Sequence, residues 1–147
     1  MRYVTMVLAL ALAAPAFAQT ASDIGPQPAK RWYTDEHVKA GAPLFAEHCA
    51  ACHGATGAAT PEWRKRTADG KFPPPPLNGT AHTWHHPFRI LARQIKFGAP
   101  GGVGSMPAFA DKLSDEQIVA ILAWVQDLWP DQVYDAWWDI EMRSRGQ

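Results

Sequence analysis

Cysteine is scarce in this 147-residue chain, which has only Cys49 and Cys52. A structural zinc site is a poor reading, because tetrahedral closure wants four ligands and only two cysteines exist. Long hydrophobic runs are missing as well. The longest, from Val4 to Ala14, is broken only by Thr5 and covers about eleven residues, against the roughly 20 needed to cross a bilayer. Dense basic runs interleaved with aromatics are absent, which argues against a nucleic-acid-binding surface. No segment reads as a convincing strand.

What is present begins with an export signal. Arg2 supplies a basic start, the short apolar run follows, and Ala16-Phe17-Ala18 has the small-x-small form of a cleavage site. Residues 1–18 are therefore expected to be a cleaved signal peptide, with a retained membrane anchor as the alternative. The product would be soluble and exported to the periplasm, meeting membranes only through partner complexes.

The chain holds 14 basic and 14 acidic side chains. Without its first eighteen residues it keeps 129, with 13 basic and 14 acidic, a net of −1. The balance is uneven. Residues 62–107 carry seven Lys/Arg against Glu62 and Asp69, a net of +5, whereas residues 111–141 carry eight acids against Lys112, a net of −7. A molecule polarised in this way can be oriented at long range by a charged partner.

Residues 19–34 are rich in Pro, Ala and Gln and read as a flexible lead-in. The spacing of Val38, Ala42, Phe45 and Ala46 predicts a helix over 35–52, although Pro43 argues against a regular first turn. Residues 54–79 are loop-like, with three glycines before the run Pro73-Pro74-Pro75-Pro76. Phe88, Leu91 and Ile95 predict a short helix over 88–97. Residues 98–107 form a Gly/Pro loop expected to hold its shape only if something organises it. Ser114 and Gln117 make a capping box ahead of Ile118, Ile121, Leu122, Val125 and Leu128, the clearest helix, which Pro130 stops. Residues 131–147 read as a helical tail of a turn or two, with Val133, Trp137 and Ile140 at helical spacing. The expected fold is all-α, with three to four helices and long loops in one domain over 35–130. So much loop leaves a thin side-chain core, so something large and apolar should occupy the centre.

Cys49-Ala50-Ala51-Cys52-His53 has the Cys-x-x-Cys-His pattern of covalent haem attachment. On a helical turn, thiols three residues apart reach the two vinyl groups on one edge of the macrocycle, and the next residue places an imidazole beneath the iron. A thioredoxin-like pair would need a strand–helix–strand setting, and a plain disulfide does not account for His53. The cofactor expected is one haem c, with Cys49 and Cys52 as attachment points and His53 as an axial ligand. For the other face, Met106 and Met142 are the only methionines beyond residue 18. Met142 lies in a polar tail beside Arg143 and Arg145. Met106 follows four glycines in the seven residues 98–104. A loop methionine can be a mere gap-filler, but ligation explains the glycine-rich approach better. His/Met ligation raises the potential and leaves no open site for substrate, which points to electron transfer and not to enzymatic catalysis.

On these residues the chain resembles the class I c-type cytochromes over roughly residues 41–129. Gly41 and Phe45, eight and four positions before Cys49, match residues that in that family pack the first helix across the last. Ile121 and Trp124 match its last-helix contact positions. Pro75-Pro76-Leu77-Asn78-Gly79 matches its Pro-x-Leu-x-Gly segment. The resemblance implies that the Pro75 carbonyl accepts a hydrogen bond from the His53 imidazole, fixing its tautomer. It also implies a small cytochrome c fold and a one-electron carrier working through the exposed haem edge. The loop 54–73, with Trp63-Arg64-Lys65-Arg66, departs from short mitochondrial-type members, and the lysine-rich ring is sparse.

His82-Thr83-Trp84-His85-His86 admits three readings: an alternative axial ligand, a copper-loading site, or His and Trp N–H groups bound to haem propionates or water. The last is preferred, with Trp84 as the candidate propionate contact. His37 and His48 are expected on the surface of the first helix. The partners expected are redox proteins with an acidic docking face, met by a monomer. Two alternatives stay open: a haem subunit docked on a periplasmic dehydrogenase or oxidase, and a ligand-binding haem protein with a labile Met106.

Overall fold

A computed structural model describes residues 30–99, 101–102 and 104–146. The expected signal peptide and most of the lead-in lie outside the described residues. Five α-helices, α1 Asp35–His48, α2 Ala50–His53, α3 Phe88–Phe97, α4 Asp115–Asp127 and α5 Asp131–Arg145, are joined by irregular segments and one 3-10 turn at Thr83–His85. Among the described residues there is no strand. Among the described residues no helix is long and apolar enough to cross a membrane.

Two features raise the helix number above the three to four expected. The first is a break at Cys49 (φ −120°, ψ −35°), which separates α1 from α2. The second is the full length of α5. Its polar residues Asp131, Asp135, Asp139 and Arg143 recur every fourth position on one side, while Tyr134 and Trp137 are buried on the other. The segment is thus an amphipathic helix packed on its own chain, not a short tail.

Helix α1 starts at Thr34, whose backbone N–H donates to His37 Nδ1 (3.2 Å), with Asp35 and Glu36 favourably placed in the first turn. Pro43 removes a backbone donor from its interior, and the helix survives there because its inner face is fixed by α4. Gly41 lies so close that a Cβ on it would stand 2.0 Å from Ala120 O, and the Phe45 ring lies 4.1 Å from that of Trp124. These are the contacts that the resemblance implied, made with α4, since α5 follows it. Gly41→Ala should force the two helices apart and cost about 3 kcal/mol, the upper part of the range for overpacking, read as a lower denaturation midpoint of the haem-loaded protein. An unchanged midpoint would contradict this packing.

Helix α4 begins as expected: Gln117 N–H donates to Ser114 Oγ (3.2 Å) and Ser114 N–H to Gln117 Oε1 (2.9 Å). Helix α3 has Pro87 at its N-cap and no cap from its own side chains. The buried carboxylate of Glu141 supplies one from α5, accepting from Phe88 N–H (2.7 Å) while its other oxygen accepts from Arg145 (2.8 Å). Trp137 Nε1 donates to His86 O (3.1 Å), so α5 braces both the start of α3 and the turn before it. Arg31 ties the chain ahead of α1 to the α4–α5 junction, donating to Trp129 O (3.1 Å) and Asp131 Oδ1 (2.7 Å).

Candidate functional site

The core is hollow between α1, α3 and α4. A cavity of about 740 Å³ opens there, within the roughly 300–1,000 Å³ of sites that enclose sizeable ligands. Its floor is buried and mostly apolar, with Phe45, Leu91, Ile95, Phe109, Ile121, Leu122 and Val125. Its rim is exposed and polar, with Cys52, Arg64, His82, His86, Gln94 and Ser105.

Cys49, Cys52 and His53 all line this cavity. The break at Cys49 puts them on one short turn, where His53 N–H donates to Cys49 O (2.9 Å). Both thiols are free, Cys49 half-buried and Cys52 exposed. Burial, with a smaller contribution from Cys52, pushes the Cys49 thiol up to about 11. A thiol–disulfide catalyst needs the opposite, a depressed thiol, so Cys49 is poorly suited to exchange chemistry. Cys49 and Cys52 also have no third or fourth ligand, because among the described residues no three His, Cys, Asp or Glu side chains could hold a metal ion together.

His53 is buried, and its Nδ1 lies 2.9 Å from Pro75 O. A carbonyl only accepts, so Nδ1 carries the proton and Nε2 keeps a free lone pair. Burial lowers the imidazole's pKa, partly offset by the Pro75 bond, and so keeps the ring neutral. The proline segment is itself anchored: Leu77 N–H donates to Gly57 O (2.6 Å), Trp129 Nε1 to Leu77 O (2.7 Å) and Thr83 Oγ1 to Pro76 O (3.2 Å).

Met106 also lines the cavity, half-buried, on the loop after α3. That loop is held at its neck more firmly than its composition suggested. Ala99 N–H donates to Met106 O (3.0 Å), Phe109 N–H to Ile95 O (3.2 Å) and Ala110 N–H to Lys96 O (3.1 Å). Gly98, at φ +67°, allows the close approach, since a Cβ there would stand 2.5 Å from Met106 O. Gln94 Nε2 donates to Met106 Sδ at 3.8 Å. Sequence reasoning missed Gln94; its signal was a polar residue three positions from Leu91 and next to Ile95, on the apolar side of α3. Met142 is exposed on α5 and does not line the cavity.

Trp84 is absent from the cavity lining; it packs against the hydrophobic core with its ring 3.9 Å from His85, while Thr83 and His86 beside it line the cavity. One expectation needs correction: His48 is half-buried and lines the cavity, its ring 6.2 Å from Phe109, whereas His37 is exposed as expected. Trp137 is buried within the chain. His82 stacks on Trp63 (5.6 Å between ring centroids) and meets His86 edge-on (5.9 Å). Burial, then His86, His85 and Arg64, lower its pKa. Among the described residues these rings form no group of three metal-holding side chains.

An apolar cavity, two free thiols three residues apart at its wall and a neutral imidazole with one free nitrogen form a donor set that fits haem c. The family described as cytochrome c oxidase, cbb3-type, subunit III matches residues 36–125. Cytochrome c6 of Picosynechococcus sp. (strain ATCC 27264 / PCC 7002 / PR-6) is 31% identical over 88 residues, covering 60% of this chain and 70% of the relative. No solved structure matches the chain significantly. The chain belongs to the class I monohaem c-type cytochromes: an all-α electron carrier with covalently bound haem c.

Proposed function

We propose that Cys49 and Cys52 would hold the haem through two thioether links, that His53 Nε2 and Met106 Sδ would ligate its iron, and that Pro75 orients His53. When bound, the haem supplies a one-electron couple. The chain's residues do the rest. Pro75 O holds the Nδ1 proton, which fixes the imidazole's tautomer and strengthens Nε2 as a donor. The backbone bonds at the neck of the loop hold Met106 in place, and Gln94 donates to its sulfur. The floor residues exclude water, which favours the less charged, reduced state and raises the potential. With His53 and Met106 both on the iron no position would be left open for a substrate, so the protein would act as a carrier and not as an enzyme.

The observation that carries this reading is the His53–Pro75 hydrogen bond in a cavity that Met106 also lines. The partner is a redox protein with an acidic docking face, met by a monomer at the basic rim. Export to the periplasm follows from Arg2, the short apolar run and Ala16-Phe17-Ala18. The test is ligand exclusion: the reduced protein should bind carbon monoxide only slowly at neutral pH, while giving up one electron per haem quickly to a soluble oxidant. Immediate carbon monoxide binding would favour the ligand-binding alternative.

A second reading, a haem subunit docked on an oxidase, is favoured by the description of the matched family, which is itself an oxidase subunit. A monomer in sizing experiments on native extracts would count against it, and a stable large complex would support it.

A further inference from the structure

The cations around the cavity are not equivalent. Lys65 pairs with Glu62 (2.5 Å) and Lys96 with Asp115 (2.6 Å), so two of the obvious docking lysines are locally neutralised. Arg64 and Arg66 differ. The Arg64 guanidinium lies over the Trp63 ring (4.5 Å to its centroid) and that of Arg66 over the Phe72 ring (4.3 Å). Among the described residues neither arginine has a carboxylate partner. Trp63, Arg64 and Phe72 line the cavity, so both stacked pairs are built on its wall.

Their loop is fixed. Thr67 N–H donates to Lys71 O (2.9 Å), Gly70 N–H to Thr67 O (2.9 Å), and Arg66 Nη1 to Gly70 O. The one acid inside the turn, Asp69, is engaged by Thr67 Oγ1 and by Lys71 N–H and does not pair with Arg66. A guanidinium resting on a ring keeps donors free along its edge and has little rotamer freedom left to lose on binding.

We infer that residues 60–74 are the recognition element for an acidic protein partner, with the stacked guanidiniums of Arg64 and Arg66 as its carboxylate contacts. The inference rests on the proposal that electrons pass at this cavity. A protein is favoured over a lipid surface because the partner must itself accept or donate an electron. The acidic segment 111–141, with its net charge of −7, would repel such a partner elsewhere and leave the rim as the attractive face.

The test uses the haem-loaded, reduced protein and its oxidation by hexacyanoferrate(III): one electron leaves the protein and the probe's iron goes from ferric to ferrous. Poly-L-glutamate serves as a redox-inert mimic of an acidic protein surface. The double variant R64Q/R66Q should lower the low-salt rate roughly three- to tenfold, the modest end of electrostatic steering, and abolish inhibition by poly-L-glutamate. K65Q/K96Q should change the rate less than twofold. R64K/R66K should fall between wild type and R64Q/R66Q, since charge remains and the fork is lost. Each variant's potential is measured alongside, so that a changed driving force is not mistaken for changed docking. Equal effects of the two Gln pairs, or a Lys pair matching wild type, would overturn the inference. So would tight binding to phosphatidylglycerol vesicles that R64Q/R66Q removes while poly-L-glutamate has no effect. Wild-type protein that fails to reduce hexacyanoferrate at all would instead sink the electron-transfer reading itself.

Discussion

Replacing both Cys49 and Cys52 with Ala leaves no haem on the chain after denaturing electrophoresis, and the unloaded chain loses most of its helical signal. The reason is the size of the hole. A cavity of about 740 Å³ left unfilled would cost on the order of 18 kcal/mol at about 24 cal/mol per Å³, an upper bound because the rim is open to water. A domain's whole stability is only about 5–15 kcal/mol. The contacts of the α1–α4 crossing, built on Gly41 and Phe45, cannot offset that. A double variant with wild-type far-ultraviolet circular dichroism and no haem would show that the side chains alone sustain the fold.

Met106→Ala has the next largest effect. The haem stays attached through its thioethers, but the potential falls by on the order of 0.1 V or more, within the roughly 0.8 V that axial ligands span. Each 0.1 V corresponds to about 2.3 kcal/mol per electron. Cyanide and carbon monoxide, slow with wild type, should bind promptly. The loop should keep its shape, because the bonds from Ala99, Phe109 and Ala110 at its neck do not involve the thioether. That makes this a change of ligand and not of fold. If potential and spectrum matched wild type, Met106 would not be the ligand, and His82 or His86, which line the same cavity, would be the next candidates.

Much of the site was legible because its chemistry is local. Cys49, Cys52 and His53 lie within one helical turn, and Ser114 with Gln117 caps α4 in a pattern that needs nothing beyond four residues. Pro75 and the α1–α4 contacts were legible only through the family resemblance, since nothing in the residues 53 and 75 themselves says that they meet. The rest depended on tertiary placement. Trp84 and His86 stand two residues apart, yet only His86 reaches the cavity, because the direction of a 3-10 turn is set by α5 and by the Thr83–Pro76 bond. Glu141 read as part of a polar tail; its role as the cap of α3 appears only once α5 is folded back. The net charge of residues 62–107 does not reveal that Lys65 pairs with Glu62 and Lys96 with Asp115, while Arg64 and Arg66 stack on Trp63 and Phe72.

The proposed function turns on a single one-electron haem held between His53 and Met106. The most direct measurement is a spectroelectrochemical titration that follows the main haem bands together with the weak far-red absorption of the oxidised protein, a signature of the Met–iron bond in this family. Both should change together as a single one-electron transition, and the far-red band should be missing from oxidised Met106→Ala. An oxidised wild type without the far-red band, or a Met106→Ala variant that keeps it, would contradict ligation by Met106.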